Sequence, residues 1–376
     1  MRFQLQMTKV LFIVGTRPEA IKMAPVIGRF KQATEIEVKI CSTGQHREML
    51  DQVFDFFQLK VDFNLALMRP DQALVELTAS ILKNLTTVLK SFQPDWVLIQ
   101  GDTTTAMAGA MAAFYEKIKI GHVEAGLRSY NIQEPFPEEM NRQMISRIAN
   151  IHFCPTDYST ENLRKEGITS HVYQVGNTVV DAIKEALIKI NNSDQQVFQS
   201  HFKSVCFDKK IILVTCHRRE SFGEPFAEIC SALRDLADSN SNYEIVYPVH
   251  LNPNIKKKAE ELLQHPSIKL MPPLSYSQLL WLMDKCSIIL TDSGGIQEEA
   301  PTLKKPVLVL RNVTERMEGV RAGTAIIVGT DKNKIVKETI HLLNDSQYYQ
   351  SKLAHTNPYG DGNSSQRILS IIQQWQ

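Results

Sequence analysis

The sequence predicts an α/β protein of two units, each built on a parallel, doubly wound sheet. Two observations predict it. Short apolar runs of β type alternate with helical segments along the whole chain, the pattern that parallel sheets produce. The alternation stops once, near residues 176–205, and then restarts. Length agrees, because 376 residues exceed what one ordinary core organises.

In the first half the β-type runs are 10–14, 38–41, 96–99, 120–123, 151–153 and 171–175. Helical segments lie between them; residues 72–92 carry apolar side chains at a spacing near 3.6. A helix over 179–190 leads into polar NNSDQQ at 191–196. The second set of runs is 211–215, 245–249, 268–270, 288–291, 307–310 and 325–328. A Gly/Pro turn, NPYGDG from Asn357, then precedes serine caps and an amphipathic helix. The expected domains are 1–175, 176–363 and a terminal helix, 364–376.

Composition narrows the partners. Hydrophobic residues make up 43%, charged residues 22%, and the net charge is +1. That describes a soluble globular protein with no call for nucleic acid or an acidic membrane surface. The longest apolar runs fall far short of a bilayer span. Arg2 followed by polar Gln4, Gln6 and Thr8 lacks the form of a signal peptide. The six cysteines show no C-x-x-C pattern and are expected as buried free thiols in a reducing cytosol.

Two open α/β sheets facing each other hold ligands at their carboxyl edges, so the strand-to-helix loops should carry the chemistry. The central stretch is 285–301, KCSIILTDSGGIQEEAP. A buried strand meets the turn Asp292-Ser293-Gly294-Gly295. A short helix over 296–302 should follow, with Ser293 as N-cap. Free helix N–H groups and two residues without Cβ suit a diphosphate. Glu299, about one turn in, can fork two ribose hydroxyls. The plain alternative is an ordinary tight βα turn.

Other loops add to it. In GTRPEAIKMAP, from Gly15, the cations Arg17 and Lys22 sit at a helix start, where the dipole repels them unless an anion lies between. Glu19 and solvent are the alternative neutralisers. No G-x-G-x-x-G or Walker lysine loop occurs, so neither bound NAD nor P-loop use of ATP is supported. Asp102 follows a buried strand and precedes three threonines; the plain alternative makes it an N-cap. Glu124 ends the 120–123 run, a costly place for a charge unless it faces a cleft or is paired. Glu138 and Glu139 open a helix, with Arg142 one turn on; helix-start charge explains one of the two glutamates. Asp102, Glu124 and Glu138 all come from the carboxyl side of one sheet, and clustered carboxylates suit general acid–base work. His217 with Arg218 and Arg219 offers a titratable imidazole and two fixed positive charges, the plain alternative being a solvated basic loop, and His250 ends a strand. Neither histidine has a cysteine or carboxylate at ligand spacing, so no metal site is read. Arg316 is a candidate phosphate fork, which Glu315 and Glu318 can equally hold. Together these loops point to an enzyme acting on a nucleotide-activated sugar.

The motifs GTRPEAIKMAP, GDTTT, GHVEAGLR, PEE-x-NR, HRRESFG, PVHLNPN, DSGGIQEEAP, TER and NPYGDG occur in this order along nearly the whole chain. The set resembles the non-hydrolysing UDP-N-acetylglucosamine 2-epimerases of bacteria. The resemblance implies two Rossmann-like, doubly wound domains facing across a cleft, as in GT-B glycosyltransferases, with the terminal helix crossing back to the first. It implies conversion of UDP-GlcNAc to UDP-ManNAc by a cytoplasmic homodimer serving surface polysaccharide synthesis, with no organic cofactor. It implies elimination of UDP to 2-acetamidoglucal and re-addition. By position, Asp102, Glu124 and Glu138 are the acid–base candidates, and Arg17, His217 and Arg316 steady the departing UDP. Leu274 and Leu279 fall near the uracil site, where some members carry Gln and an aromatic, and Cys216 stands where many have Gly or Ala. Gln45, Arg218 and His250 match an allosteric UDP-GlcNAc site of some members, while Glu48 and Asp71 replace a Gln and an Arg. Rival readings are a hydrolysing epimerase releasing UDP and ManNAc, a GT-B-type glycosyltransferase, and a non-catalytic nucleotide-sugar sensor.

Overall fold

The computed structural model describes residues 7–44, 47–69, 72–216, 223–249 and 253–375, without the side chains of 47–49, 253 and 254. It divides into two compact units, Met1–Ala182 with Tyr359–Gln376, and Ile183–Pro358.

The first unit holds a seven-stranded sheet. Its strands are β1 (Thr8–Val14), β2 (Ile36–Ser42), β3 (Phe63–Asn64), β4 (Trp96–Gln100), β5 (Lys119–Val123), β6 (Ile151–Cys154) and β7 (Val172–Gln174). Their order is β3-β2-β1-β4-β5-β6-β7, and every pairing is parallel. The chain winds outward from β1 to β3, then returns to β4 and winds the other way. Helices cover both faces, so Val10 through Val14 are wholly buried. β3 has no counterpart among the expected strands. Two residues at a sheet edge make too short a run to read.

The second unit holds β8 (Lys210–Thr215), β9 (Tyr243–Pro248), β10 (Ile268–Met271), β11 (Ile288–Thr291), β12 (Val307–Val309) and β13 (Ala325–Ile327). The order is β10-β9-β8-β11-β12-β13, again parallel throughout. Winding reverses between β8 and β11. Ile212, Val214, Ile245 and Leu290 form the core with Phe226 and Leu233 of the helix Glu224–Ser239.

The units part within the helix Thr178–Asn191 and at Pro358, rather than at 175 and 363. The reason lies in the contacts of 176–181. Asn177 N donates to Tyr359 O at 2.8 Å. The Asp181 carboxylate accepts from Ser364 N (3.3 Å) and Ser365 N (2.8 Å), capping the helix Ser364–Gln374. A Cβ on Gly176 would come within 2.6 Å of Ser364 Oγ. That terminal helix packs on the helix Arg17–Gln32, inside the first unit.

Five of the six cysteines are buried; Cys206, in the loop before β8, is exposed, contrary to expectation. Burial pushes the Cys41, Cys154, Cys230 and Cys286 thiols up to about 12. Those four are packing residues rather than nucleophiles. No described helix is long and apolar enough to cross a membrane.

Candidate active site

β1 delivers the first loop. Thr16 caps the helix Arg17–Gln32, and Glu19 closes a capping box with it. Pro18 sits in the first turn, where its missing N–H costs nothing. Arg17 is half-buried. Lys22 and Glu124 are both buried and form an ion pair. Glu19 does not take the neutralising part held open for it. One oxygen accepts from Gly15 N (2.9 Å) and Thr16 N (2.6 Å), the other from Thr103 Oγ (2.7 Å). Burial raises the Glu19 carboxyl above its ordinary range, against those hydrogen bonds.

β4 delivers the second. Asp102 is not an N-cap: Thr103 caps the helix Thr104–Tyr115, accepting from Ala106 N at 3.0 Å. The Asp102 carboxylate instead receives Arg142 Nη2 at 2.6 Å, and its backbone carbonyl receives Asn141 Nδ2 at 2.8 Å. His122 on β5 is fully buried and holds Gly101 O at 2.7 Å. A carbonyl only accepts, so Nε2 carries the proton. Burial pushes this imidazole down to about 3.

Glu124, directly after β5, has φ +64°. This left-handed conformation costs a non-glycine residue about 1–3 kcal/mol, and the Lys22 pair lies at that turn. The helix Glu138–Ile148 follows. Its two leading glutamates divide the work. Glu139 is fully buried and accepts from Ser129 N (2.8 Å), Tyr130 N (3.3 Å), Gln143 Nε2 (2.8 Å) and Arg142 Nη1 (3.2 Å). Glu138 beside it is half-buried. Because β1, β4 and β5 are neighbours in the sheet, Arg17, Asp102, Glu124 and Glu138 all sit on its carboxyl edge.

In the second unit β11 leads into the Ser293-Gly294-Gly295 turn. The helix begins at Gly294, two residues earlier than expected, and runs to Glu299 before a 3-10 turn, Ala300–Leu303. Ser293 stands at the N-cap position with no cap bond from its hydroxyl. Its N–H donates to Thr291 Oγ at 2.9 Å, and Thr215 Oγ donates to that same oxygen at 2.6 Å. Glu299 is buried at the helix end. The absent Cβ of Gly294 makes room for Arg316: a Cβ there would come within 2.9 Å of Arg316 Cζ. Arg316 Nε donates to Glu298 at 2.9 Å, and its Nη1 reaches Glu315 at 3.5 Å. So Glu298, which the sequence reading left aside, holds Arg316 together with Glu315. Burial opposes a charge on Glu315, but Arg316 and Arg311 outweigh it and hold the carboxyl down at about 2.

Leu274 is buried and Leu279 half-buried. They flank Ser275, the capping-box N-cap of the helix Tyr276–Lys285. That puts them at the N′ and N4 positions of a hydrophobic staple. Gln45, His217, Arg218 and His250, with Asp71, lie outside the described residues, as does the Glu48 side chain. Tyr247 Oη donates to the carbonyl of buried Cys216, just before 217–222, at 2.8 Å. Among the described residues no group of His, Cys, Asp or Glu could hold a metal ion.

A family model described as UDP-N-acetylglucosamine 2-epimerase matches residues 28–373. The chain belongs to this family. It is similar to the UDP-N-acetylglucosamine 2-epimerase of Escherichia coli K12, 48% identical over 369 residues, 97% of this chain and 98% of that protein. Among solved structures, the UDP-GlcNAc 2-epimerase of Neisseria meningitidis bound to UDP-GlcNAc gives a TM-score of 0.93 at 46% identity. The match covers 98% of this chain and 100% of that one. The enzyme of Methanocaldococcus jannaschii in complex with UDP-GlcNAc and UDP gives 0.83 at 34%, covering 98% and 100%. The epimerase matches run through both units, and the fold class is the expected one: two parallel α/β sheets, GT-B-like.

Proposed function

We propose that the chain interconverts UDP-GlcNAc and UDP-ManNAc by inverting C2 of the sugar, without net hydrolysis. It does so as a cytoplasmic homodimer without an organic cofactor, supplying surface polysaccharide synthesis. The observation that carries this reading is the row of carboxylates Asp102, Glu124 and Glu138 beside Arg17 on one sheet edge.

The C2 proton has no adjacent carbonyl to acidify it. Inversion therefore goes by elimination: a base takes the C2 proton, the C1–O bond breaks, and its electron pair leaves with UDP. The sugar is left as 2-acetamidoglucal. UDP then adds back to C1 while a proton reaches C2 from the opposite face. Two acid–base groups on two faces suit this better than one, and three carboxylates supply them. Arg142 fixes Asp102 and Lys22 fixes Glu124, so neither must be ordered during turnover. Arg17, His217 and Arg316 balance charge on the departing UDP; one well-placed donor of this kind contributes about 3–4 kcal/mol. Ser293, Gly294, Gly295 and Glu299 receive the diphosphate and ribose. The seat of Arg316 against Gly294 supports this, because it adds a guanidinium to the free N–H groups of the helix start. Leu274 and Leu279 stand by the base.

Proton NMR of the purified protein with UDP-GlcNAc in D2O tests the reading. UDP-ManNAc carrying deuterium at C2 is the expected result. Free ManNAc with stoichiometric UDP would replace it with the hydrolysing reaction, and unchanged substrate would remove it.

A further inference from the structure

We infer that Glu19 is a positioning residue that locks the loop bearing Arg17 to the loop bearing Asp102. The inference rests on the epimerisation proposed above and adds a residue to it. Glu19 is 1% exposed. Each of its oxygens serves a different loop. Oε2 accepts from Gly15 N and Thr16 N, directly before Arg17. Oε1 accepts from the hydroxyl of Thr103, directly after Asp102. A capping box alone asks only for one acceptor at this position, and glutamine serves as well as glutamate. Three donors on two oxygens ask for a carboxylate. The Thr103 hydroxyl accepts from Ala106 N with one lone pair and donates its proton to Glu19, because an ionised carboxylate only accepts. A glutamine that kept its oxygen on the two backbone N–H groups would turn its NH2 to Thr103, reversing that bond and removing its charge assistance.

The same two loops also meet sterically. A Cβ on Gly15 would lie 2.2 Å from Thr105 Oγ and 2.7 Å from Thr43 Oγ. Those two hydroxyls are hydrogen-bonded to each other at 2.9 Å. Gly15 and Glu19 thus tie β1 to the helix after β4 at the point where the winding of the sheet reverses. Elimination needs the proton acceptor and the cation facing the leaving group to keep one separation. Re-addition needs the same separation until UDP returns to the glycal. A shift of about 1 Å between such groups costs on the order of a hundredfold in rate. It also lets the glycal leave before it is captured.

The test compares full-length wild type, Glu19→Gln, Thr103→Val, Thr103→Ser and the Glu19→Gln/Thr103→Val double variant on UDP-GlcNAc. NMR reads kcat, KM and the ratio of released 2-acetamidoglucal to UDP-ManNAc. That ratio belongs to each active molecule, so it does not change with the fraction of protein that folds. Glu19→Gln and Thr103→Val are expected to lower kcat about ten- to a hundredfold with a smaller change in KM, and to raise the released-glycal ratio several-fold. Thr103→Ser, which keeps the hydroxyl, should restore the wild-type ratio. The double variant should be no worse than the worse single one, because both act on the Thr103–Glu19 bond, with Thr103→Val also losing the cap on Ala106 N. A wild-type ratio in both single variants, or effects that multiply in the double, overturns the positioning role. A wild type that makes no UDP-ManNAc removes the underlying reaction, an outcome read before any variant is compared.

Discussion

In the first unit Asp102 and Glu124 each meet a cation, Arg142 at 2.6 Å and Lys22 in a buried pair. Arg142 is shared with Glu139, as Arg316 in the second unit is shared by two carboxylates; what differs is which member of the pair is the candidate site residue. Arg316 reaches both Glu298 and Glu315, and Arg311 reaches Glu315 as well. The difference matches what each side is proposed to do. Proton transfer needs carboxylates whose position is settled before substrate arrives. Binding and releasing a diphosphate needs a cation that is oriented beforehand yet can trade a carboxylate for a phosphate. On the proposed reading, the carboxylates around Arg316 hold the place that the anion would take.

The largest expected effect falls on the first unit. Asp102→Asn or Glu138→Gln should fold, bind UDP with near wild-type affinity and lose at least a hundredfold in kcat. Wild-type turnover in both would take these residues out of the mechanism. Next comes Arg316→Ala, which should leave the proton chemistry in place and weaken UDP binding about ten- to a hundredfold by titration calorimetry. Glu315→Gln, which removes one place-holder, should instead tighten UDP binding a few fold. If it weakens binding as much as Arg316→Ala does, Glu315 orients the arginine and does not compete for it.

Acid separates the units further. His122 and His152 are buried, and burial holds their imidazoles down at about 3 and about 4, from 6.5. The unfolded chain therefore takes up these protons first. Their contribution to stability is whole above pH 6.5 and is lost as pH falls to about 4 for His152 and about 3 for His122, by at most about 1.4 kcal/mol per pH unit for each. Glu315, held at about 2 from 4.5, begins to cost the second unit only below about pH 4.5. Hydrogen exchange between pH 6.5 and 5 should show protection falling in the first unit alone. His122→Gln, which keeps a donor toward Gly101, should flatten that slope. The smallest effect is expected at the staple. Leu274→Ala should cost about 2 kcal/mol in thermal unfolding of the second unit and change UDP affinity less than threefold. A larger loss of affinity would give Leu274 a direct part in holding the base it is proposed to stand by.

The strands that matter most were legible because burial on both faces leaves plain apolar runs, as at Val10–Val14 and Ile288–Thr291. β3 was not, since Phe63 and Asn64 alone make no pattern. The start of the helix Gly294–Glu299 was missed for a related reason: two glycines have poor helix propensity, and only the neighbouring Arg316 explains why a side chain is absent at the first. The candidate carboxylates could be named from their places at strand ends. Their partners could not. Lys22 and Glu124 are 102 residues apart in sequence, and Glu19 and Thr103 are 84 apart. Nothing local in GTRPEA or GDTTT says that these pairs meet. Arg142 was visible in PEE-x-NR, but its hold on Asp102 depends on sheet order, which spacing does not encode.

The chain has three tryptophans. Trp96 and Trp375 meet edge to face, 5.5 Å between ring centroids, where the terminal helix ends against the first unit. Trp281 stacks nearly parallel to Phe198 and Phe202, at 5.6 and 5.2 Å between centroids, in the second. Each unit therefore carries its own optical label, with no dye to attach. Trp281→Phe leaves an emission spectrum that reports only the first unit and the docking of its last helix. Replacing Trp375 by Phe dims that signal but leaves Trp96; with both replaced, Trp281 follows the second unit alone.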